Sequence, residues 1–196
     1  MSDLIVVRHG QTEWSENGKH TGVTDIPLTE VGEHQARHLL EELGDRTFAA
    51  VLVSPRQRAR RTAELAGIED FEVVEELVEW NYGTLEGRTT AEFVAAREAA
   101  GLGPWNLWDD GAPDGEDAAA VGRRVDRVLQ RVRAALEGGD VLIVAHSHLL
   151  LVLVARWLGL DPRRGSNFIL DAGHRSVLAH KRGVPVIKHW NVPPVH

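Results

Sequence analysis

The sequence predicts a three-layer α/β/α fold around a mostly parallel central sheet, formed as a single domain over residues 1–196. Three β-branched apolar runs, residues 4–7, 49–53 and 141–145, lack polar alternation, as strands buried on both faces do. Helical periodicity fills the chain between them, the pattern that gives a sheet covered by helices. Each run then stops at a cationic or imidazole group: Arg8-His9-Gly10, Ser54-Pro55-Arg56-Gln57-Arg58 and His146-Ser147-His148. Ligands of such sheets bind beyond the carboxyl ends of the strands, so if the three are neighbours, Arg8, His9, Arg58 and His146 converge. Two guanidinium forks and two imidazoles around one point make an anion site, and phosphate fits it best.

In chain order, residues 4–7 form the first strand. Thr29 is placed to cap a helix in which Ala36, Leu39, Leu40 and Leu43 keep helical spacing, closed by Gly44. After the second strand, Ser54-Pro55 reads as an N-cap followed by proline at the first helical position, opening a helix that runs to Gly67. Thr89-Thr90-Ala91-Glu92 has capping-box spacing and opens a helix ending near Gly101. Residues 104–117 are the least regular, and Trp105 and Trp108 make them an ordered lid or wall. Residues 116–137 form a long helix with Val121, Val125, Val128, Leu129, Val132 and Leu136 on one face, and Gly138-Gly139 ends it before the third strand. Residues 147–158 form an apolar helix packed on the sheet. Residues 176–180 and 184–189, joined by Lys181-Arg182-Gly183, form a terminal hairpin.

Composition narrows the function classes. A chain that is 43% hydrophobic and 26% charged is an ordinary globular one, long enough for a full core. Its net charge of −7 argues against a nucleic-acid or acidic-membrane partner, although a cleft can still focus a local arginine cluster. With no cysteine, disulfides, thiol catalysis and thiolate metal sites are excluded. No secretory signal pattern precedes the first strand, and the longest apolar stretch, residues 149–155, is too short to span a bilayer, so the expected location is cytoplasmic. His34 and His38 have i, i+4 spacing without a third ligand, and no metal is expected.

Four elements stand in a fixed order: Arg8-His9-Gly10, Ser54-x-x-x-Arg58-Ala59-x-x-Thr62-Ala63, Glu79-x-x-x-Gly83-x-x-Glu86-Gly87 and Ala145-His146. In these the chain resembles, from end to end, the histidine phosphatase superfamily, also called phosphoglycerate-mutase-like. The resemblance implies that His9 is a nucleophile that becomes phosphohistidine, that Arg8, Arg58 and His146 hold the phosphoryl oxygens, and that Glu79 protonates the leaving alcohol. It implies no cofactor and a small phosphorylated substrate. The chemistry agrees, because phosphoryl transfer needs placed positive charge and an in-line nucleophile. A neutral imidazole can attack without a base when a backbone acceptor holds its other nitrogen.

A narrower resemblance lies in Trp14-Ser15-x-x-Gly18-x-x-Thr21-Gly22-x-Thr24-Asp25, together with Pro104-Trp105-Asn106-Leu107-Trp108-x-Asp110-Gly111. These segments are similar to the sedoheptulose-1,7-bisphosphatase branch and related acid phosphatases. Carried over, the resemblance makes Ser15, Thr21, Gly22, Tyr82, Asn106 and Ser147 the expected substrate contacts. The chain departs from its relatives after His146, with Ser147 where glycine is common and no arginine in Leu149-Leu150-Leu151. His148 either lines the site or caps the following helix. The expected activity is metal-independent hydrolysis of small phosphorylated metabolites, sugar phosphates or bisphosphates, at mildly acidic to neutral pH. A homodimer is compatible with it. The alternatives are a phosphoglycerate mutase, disfavoured because residues 101–117 hold no lysine or arginine for a substrate carboxylate, and a silent phosphate-binding module on the same fold.

Overall fold

The computed structural model describes residues 2–44 and 46–194. Its strands are β1 (Leu4–Arg8), β2 (Phe48–Val53), β3 (Glu72–Val73), β4 (Asp140–Ala145), β5 (Arg175–Lys181) and β6 (Val184–Val192). They form one sheet in the order β3-β2-β4-β1-β5-β6. The first four strands are parallel to one another, and β5 and β6 add the antiparallel hairpin. The three apolar runs are therefore neighbours, with Arg8 opposite Ala145 and Val53 opposite Val144. Their carboxyl ends lie level, and the groups that follow meet at one edge of the sheet.

The helices are α1 (Glu13–Glu16), α2 (Glu30–Leu43), α3 (Gln57–Leu65), α4 (Thr90–Ala99), α5 (Leu107–Asp110), α6 (Ala118–Ala135) and α7 (Ser147–Trp157). Alternate residues of each central strand face opposite layers. Ile5, Val7, Leu142 and Val144 pack with Leu39 of α2 and Ala59 and Ala63 of α3. Leu4, Val6, Val141 and Ile143 pack with Val125 and Leu129 of α6 and Leu150 and Val154 of α7. Each such valine, leucine or isoleucine side chain, fully buried, contributes about 1.5–3 kcal/mol. None of the described helices is long and apolar enough to cross a membrane.

Local chemistry explains the boundaries. Thr29 accepts from the Gly32 N–H to start α2, and Gly44 ends it with φ of 57°. The Thr89–Glu92 capping box opens α4, and Asp117 caps α6 by accepting from the Ala120 N–H. One start differs from expectation: α3 begins at Gln57, and Arg56 rather than Ser54 is its N-cap. The Ser54 hydroxyl lies instead 2.7 Å from His146 Nε2. Residues 104–117 are ordered as expected, around α5, with Trp105 and Trp108 packed against the core. A close approach fixes the turn after β1. A Cβ on Gly10 would lie 2.3 Å from the Gly32 carbonyl oxygen, so only glycine lets the start of α2 press against the segment carrying His9.

Candidate active site

A cleft of about 310 Å³ opens at the carboxyl ends of β1 and β4. Arg8, His9, Thr12, Ser15, Thr21, Glu79, Tyr82, Ser147 and His148 line it, together with Lys19, His20 and Thr90. Arg58 and His146 are fully buried beside it.

His9 follows β1, and its Nδ1 lies 2.7 Å from the Gly10 carbonyl. A carbonyl can only accept, so Nδ1 carries the hydrogen and Nε2 keeps its lone pair. Burial first, then the Arg58 and Arg8 charges, hold the His9 pKa well below its ordinary value and keep the ring neutral. The His146 ring meets it edge-on, with centroids 5.1 Å apart.

His146 is the N-cap of α7. Its Nδ1 accepts from Arg58 Nε at 3.3 Å, which leaves Nε2–H to donate to Ser54 Oγ. Burial, followed by the Arg58 charge, holds it well below the usual imidazole pKa. Arg58, in the first turn of α3, donates to the carbonyls of Thr24 (2.9 Å) and Thr21 (3.0 Å), and the Asp25 carboxylate is 3.9 Å away. Arg8 donates from Nη1 to the Leu170 carbonyl at 2.6 Å, while its Nε is buried without a partner among the described residues.

Glu79 sits against the amino end of α7. Its Oε1 accepts from the N–H groups of Trp80 (2.8 Å) and Leu149 (2.9 Å), and Oε2 from that of His148 (3.0 Å). The first turn of α7, where N–H groups have no helical partner, thus fixes the carboxylate beside His9. His148 lines the cleft rather than capping α7, with Nδ1 2.7 Å from Tyr82 Oη. Burial, then the Arg8 charge, lowers its pKa to about 4, and burial with His148 beside it lowers His20 to about 4. Tyr82 is pushed well above the usual phenol value by burial and then by Glu79, so its hydroxyl keeps its proton to donate.

The expected substrate contacts divide. Ser15, Thr21, Tyr82 and Ser147 line the cleft. Ser15 also completes a capping box with Thr12 at α1. Gly22 contributes through its backbone, its N–H donating to Glu86 and its carbonyl accepting from Arg58 at 3.4 Å. Asn106 is not brought in. It is exposed on the rim of α5, where its side chain accepts from the Trp108 N–H as the helix cap and donates to Asp109. Trp108 likewise packs on Trp80 and His148, with centroids 5.5 and 5.4 Å apart, behind the cleft wall. Thr12, Lys19, His20 and Thr90 were not anticipated. Lys19 and His20 stand at the unspecified positions of the Trp14–Asp25 segment and Thr12 just before it, but Thr90 arrives through the bridge pairing Lys19 with Thr89, which no local pattern announces.

A mostly parallel sheet ending in a neutral imidazole, two guanidinium groups and a carboxylate defines an α/β protein built to meet an oxyanion. The chain belongs to the histidine phosphatase superfamily (branch 1), whose family model matches residues 4–193. It is 36% identical over 183 residues to an acid phosphatase of Mycobacterium tuberculosis, covering 92% of this chain and 88% of that one. It is 37% identical over 186 residues to sedoheptulose 1,7-bisphosphatase of Saccharomyces cerevisiae, covering 82% and 69%. The solved structure of an open reading frame product of Mycobacterium tuberculosis superposes with a TM-score of 0.91 at 34% identity, covering 99% of both chains.

Proposed function

We propose that this protein is a phosphoric monoester hydrolase of the acid phosphatase type, acting on small phosphorylated metabolites such as sugar phosphates or bisphosphates without a metal. The observation that carries the reading is the state of His9: Nδ1–H tied to the Gly10 carbonyl, the ring held neutral, and Nε2 left with its lone pair beside the cleft. In the first step Nε2 forms a bond to phosphorus as the ester P–O bond breaks, and Glu79 gives a proton to the departing alcohol. In the second, water attacks the phosphohistidine and gives a proton back to the Glu79 carboxylate, the P–N bond breaks, and inorganic phosphate leaves. Arg8 supplies charge to the equatorial oxygens, and its unpartnered Nε is a donor suited to one of them. Arg58 adds its charge from beside His9, and His146 holds Arg58 Nε. The acid phosphatase and the bisphosphatase among the similar proteins support hydrolysis and the substrate class.

A panel of sugar bisphosphates, sugar monophosphates and 3-phosphoglycerate, with free phosphate measured, tests this. Net phosphate release from sugar phosphates is expected. Interconversion of phosphoglycerates without phosphate release would overturn it. The cytoplasmic location and a homodimer belong to the same reading, checked by cell fractionation and by sedimentation of the purified protein.

A further inference from the structure

Glu86 belongs to the Glu79-x-x-x-Gly83-x-x-Glu86-Gly87 stretch, yet it has no part in the chemistry above. Its carboxylate accepts the Gly22 N–H through both oxygens at 3.0 Å and the Thr24 N–H through Oε1 at 2.9 Å. The same short segment turns its carbonyls the other way. Thr24 O and Thr21 O take Arg58 Nη1 and Nη2 at 2.9 and 3.0 Å, with Gly22 O at 3.4 Å. Its far end is pinned by Asp25, whose carboxylate accepts from the Gln57 N–H at 2.9 Å. There is no slack behind it, since a Cβ on Gly22 would lie 2.4 Å from the Trp80 carbonyl oxygen. The segment is therefore a strap with an anion on one side and a guanidinium on the other.

We infer that Glu86 is a positioning residue: by holding the N–H groups of Gly22 and Thr24 it fixes the carbonyls that aim the Arg58 guanidinium beside His9. Bonds to an ionised acceptor are the stronger kind, so this carboxylate orders the strap more firmly than a neutral group does. The inference rests on Arg58 acting on the phosphoryl group, as proposed above.

The test is turnover of p-nitrophenyl phosphate and inhibition by vanadate in Glu86→Ala, Glu86→Gln, Arg58→Ala and the double variants. Glu86→Ala is expected to lower kcat about 10- to 100-fold, the scale of a misplaced catalytic group, and to weaken vanadate inhibition in parallel. Glu86→Gln, whose amide oxygen still accepts from both N–H groups, recovers most of the loss. In the Arg58→Ala background neither substitution has further effect, because Glu86 acts through Arg58. Losses that simply multiply, or Glu86→Ala activity within about twofold of wild type, would overturn the inference. Should Glu86→Ala fail to fold, the residual loss in Glu86→Gln, present with Arg58 and absent without it, decides in the same way. Full activity in Arg58→Ala would instead sink the reading of Arg58 itself.

Discussion

Arg124 and Glu116 form a bidentate pair, Nε to Oε1 and Nη2 to Oε2, each at 3.0 Å. The same guanidinium donates to the carbonyls of Glu76 (2.8 Å), Val78 (2.6 Å) and Glu79 (3.1 Å). Glu116 in turn accepts the Asn81 N–H at Oε2 and the Trp80 indole N–H at its carbonyl. One ion pair thus grips residues 76–81 on both sides of Glu79, whose carboxylate is held on its other side by α7. The acidic tail of residues 104–117 serves here as a clamp for the loop that carries the proton donor.

Arg124→Ala removes all the guanidinium donors of this clamp at once, leaving Glu116 with the Asn81 N–H alone on its carboxylate and three carbonyls to find water at a position only 7% exposed. Breaking a buried pair from one side costs about 3–5 kcal/mol, and the partial exposure of Glu116 places this case near the low end. A fall of about 3 kcal/mol in unfolding free energy by urea titration is expected. A loss below about 1 kcal/mol, the scale of an exposed pair, would show that the clamp does not support the loop.

His9→Ala takes away the nucleophile and, among the described residues, one internal side-chain hydrogen bond, that to the Gly10 carbonyl. Turnover of every phosphate ester is expected to fall to background, with the unfolding midpoint nearly unchanged. A variant that kept a sizeable share of wild-type activity would refute the phosphohistidine route.

Glu79→Gln separates binding from proton donation. Sugar alcohols leave poorly without a proton, whereas p-nitrophenolate leaves unaided. General acids contribute roughly 10²- to 10⁴-fold, so that loss is expected on a sugar phosphate and far less on the aryl ester. Equal losses on both would assign Glu79 a structural role at the amino end of α7.

The fold was legible because its signals were local. Apolar runs without alternation marked β1, β2 and β4, and Thr29, Thr89 and Gly44 marked helix ends through hydrogen bonds that span three or four residues. β3 has only two residues and α1 only four, too short for any period to register. Ser54 misled because its hydroxyl accepts the buried Nε2–H of His146, 92 residues away, at 2.7 Å and the Arg56 N–H at 3.4 Å, so it closes a turn before α3 and does not cap it. At the site, His9, Arg8 and Glu79 were visible in the quoted elements. Asn106 failed because an asparagine before a helix satisfies its own backbone first, a local use that outcompetes a distant ligand.

Four imidazoles near the cleft share one electrostatic condition. His9, His20, His146 and His148 are each held below the ordinary histidine pKa, with burial the first cause every time, and His20 and His148 fall to about 4. In the unfolded chain each takes up a proton near about 6.5. Above that pH both states are neutral and the four contribute nothing to the pH dependence. Below it the unfolded state binds more protons, so stability falls with falling pH, at up to about 1.4 kcal/mol per pH unit for each imidazole. For His20 and His148 the loss accumulates until the pH reaches about 4, and His9 and His146, held well below the ordinary value, add to it in the same direction. Urea midpoints should therefore drop from pH 7 to pH 5 with a slope of more than one proton. Activity follows a different course, because a ring kept neutral by its surroundings does not lose its nucleophile at pH 6.5. From pH 7 to pH 5, while the protein stays folded, kcat/KM should show no acid limb centred near an ordinary imidazole pKa. Such a limb, together with unfolding midpoints that do not move, would mean that these rings are charged in the folded protein and that His9 is not the pre-formed nucleophile its geometry makes it.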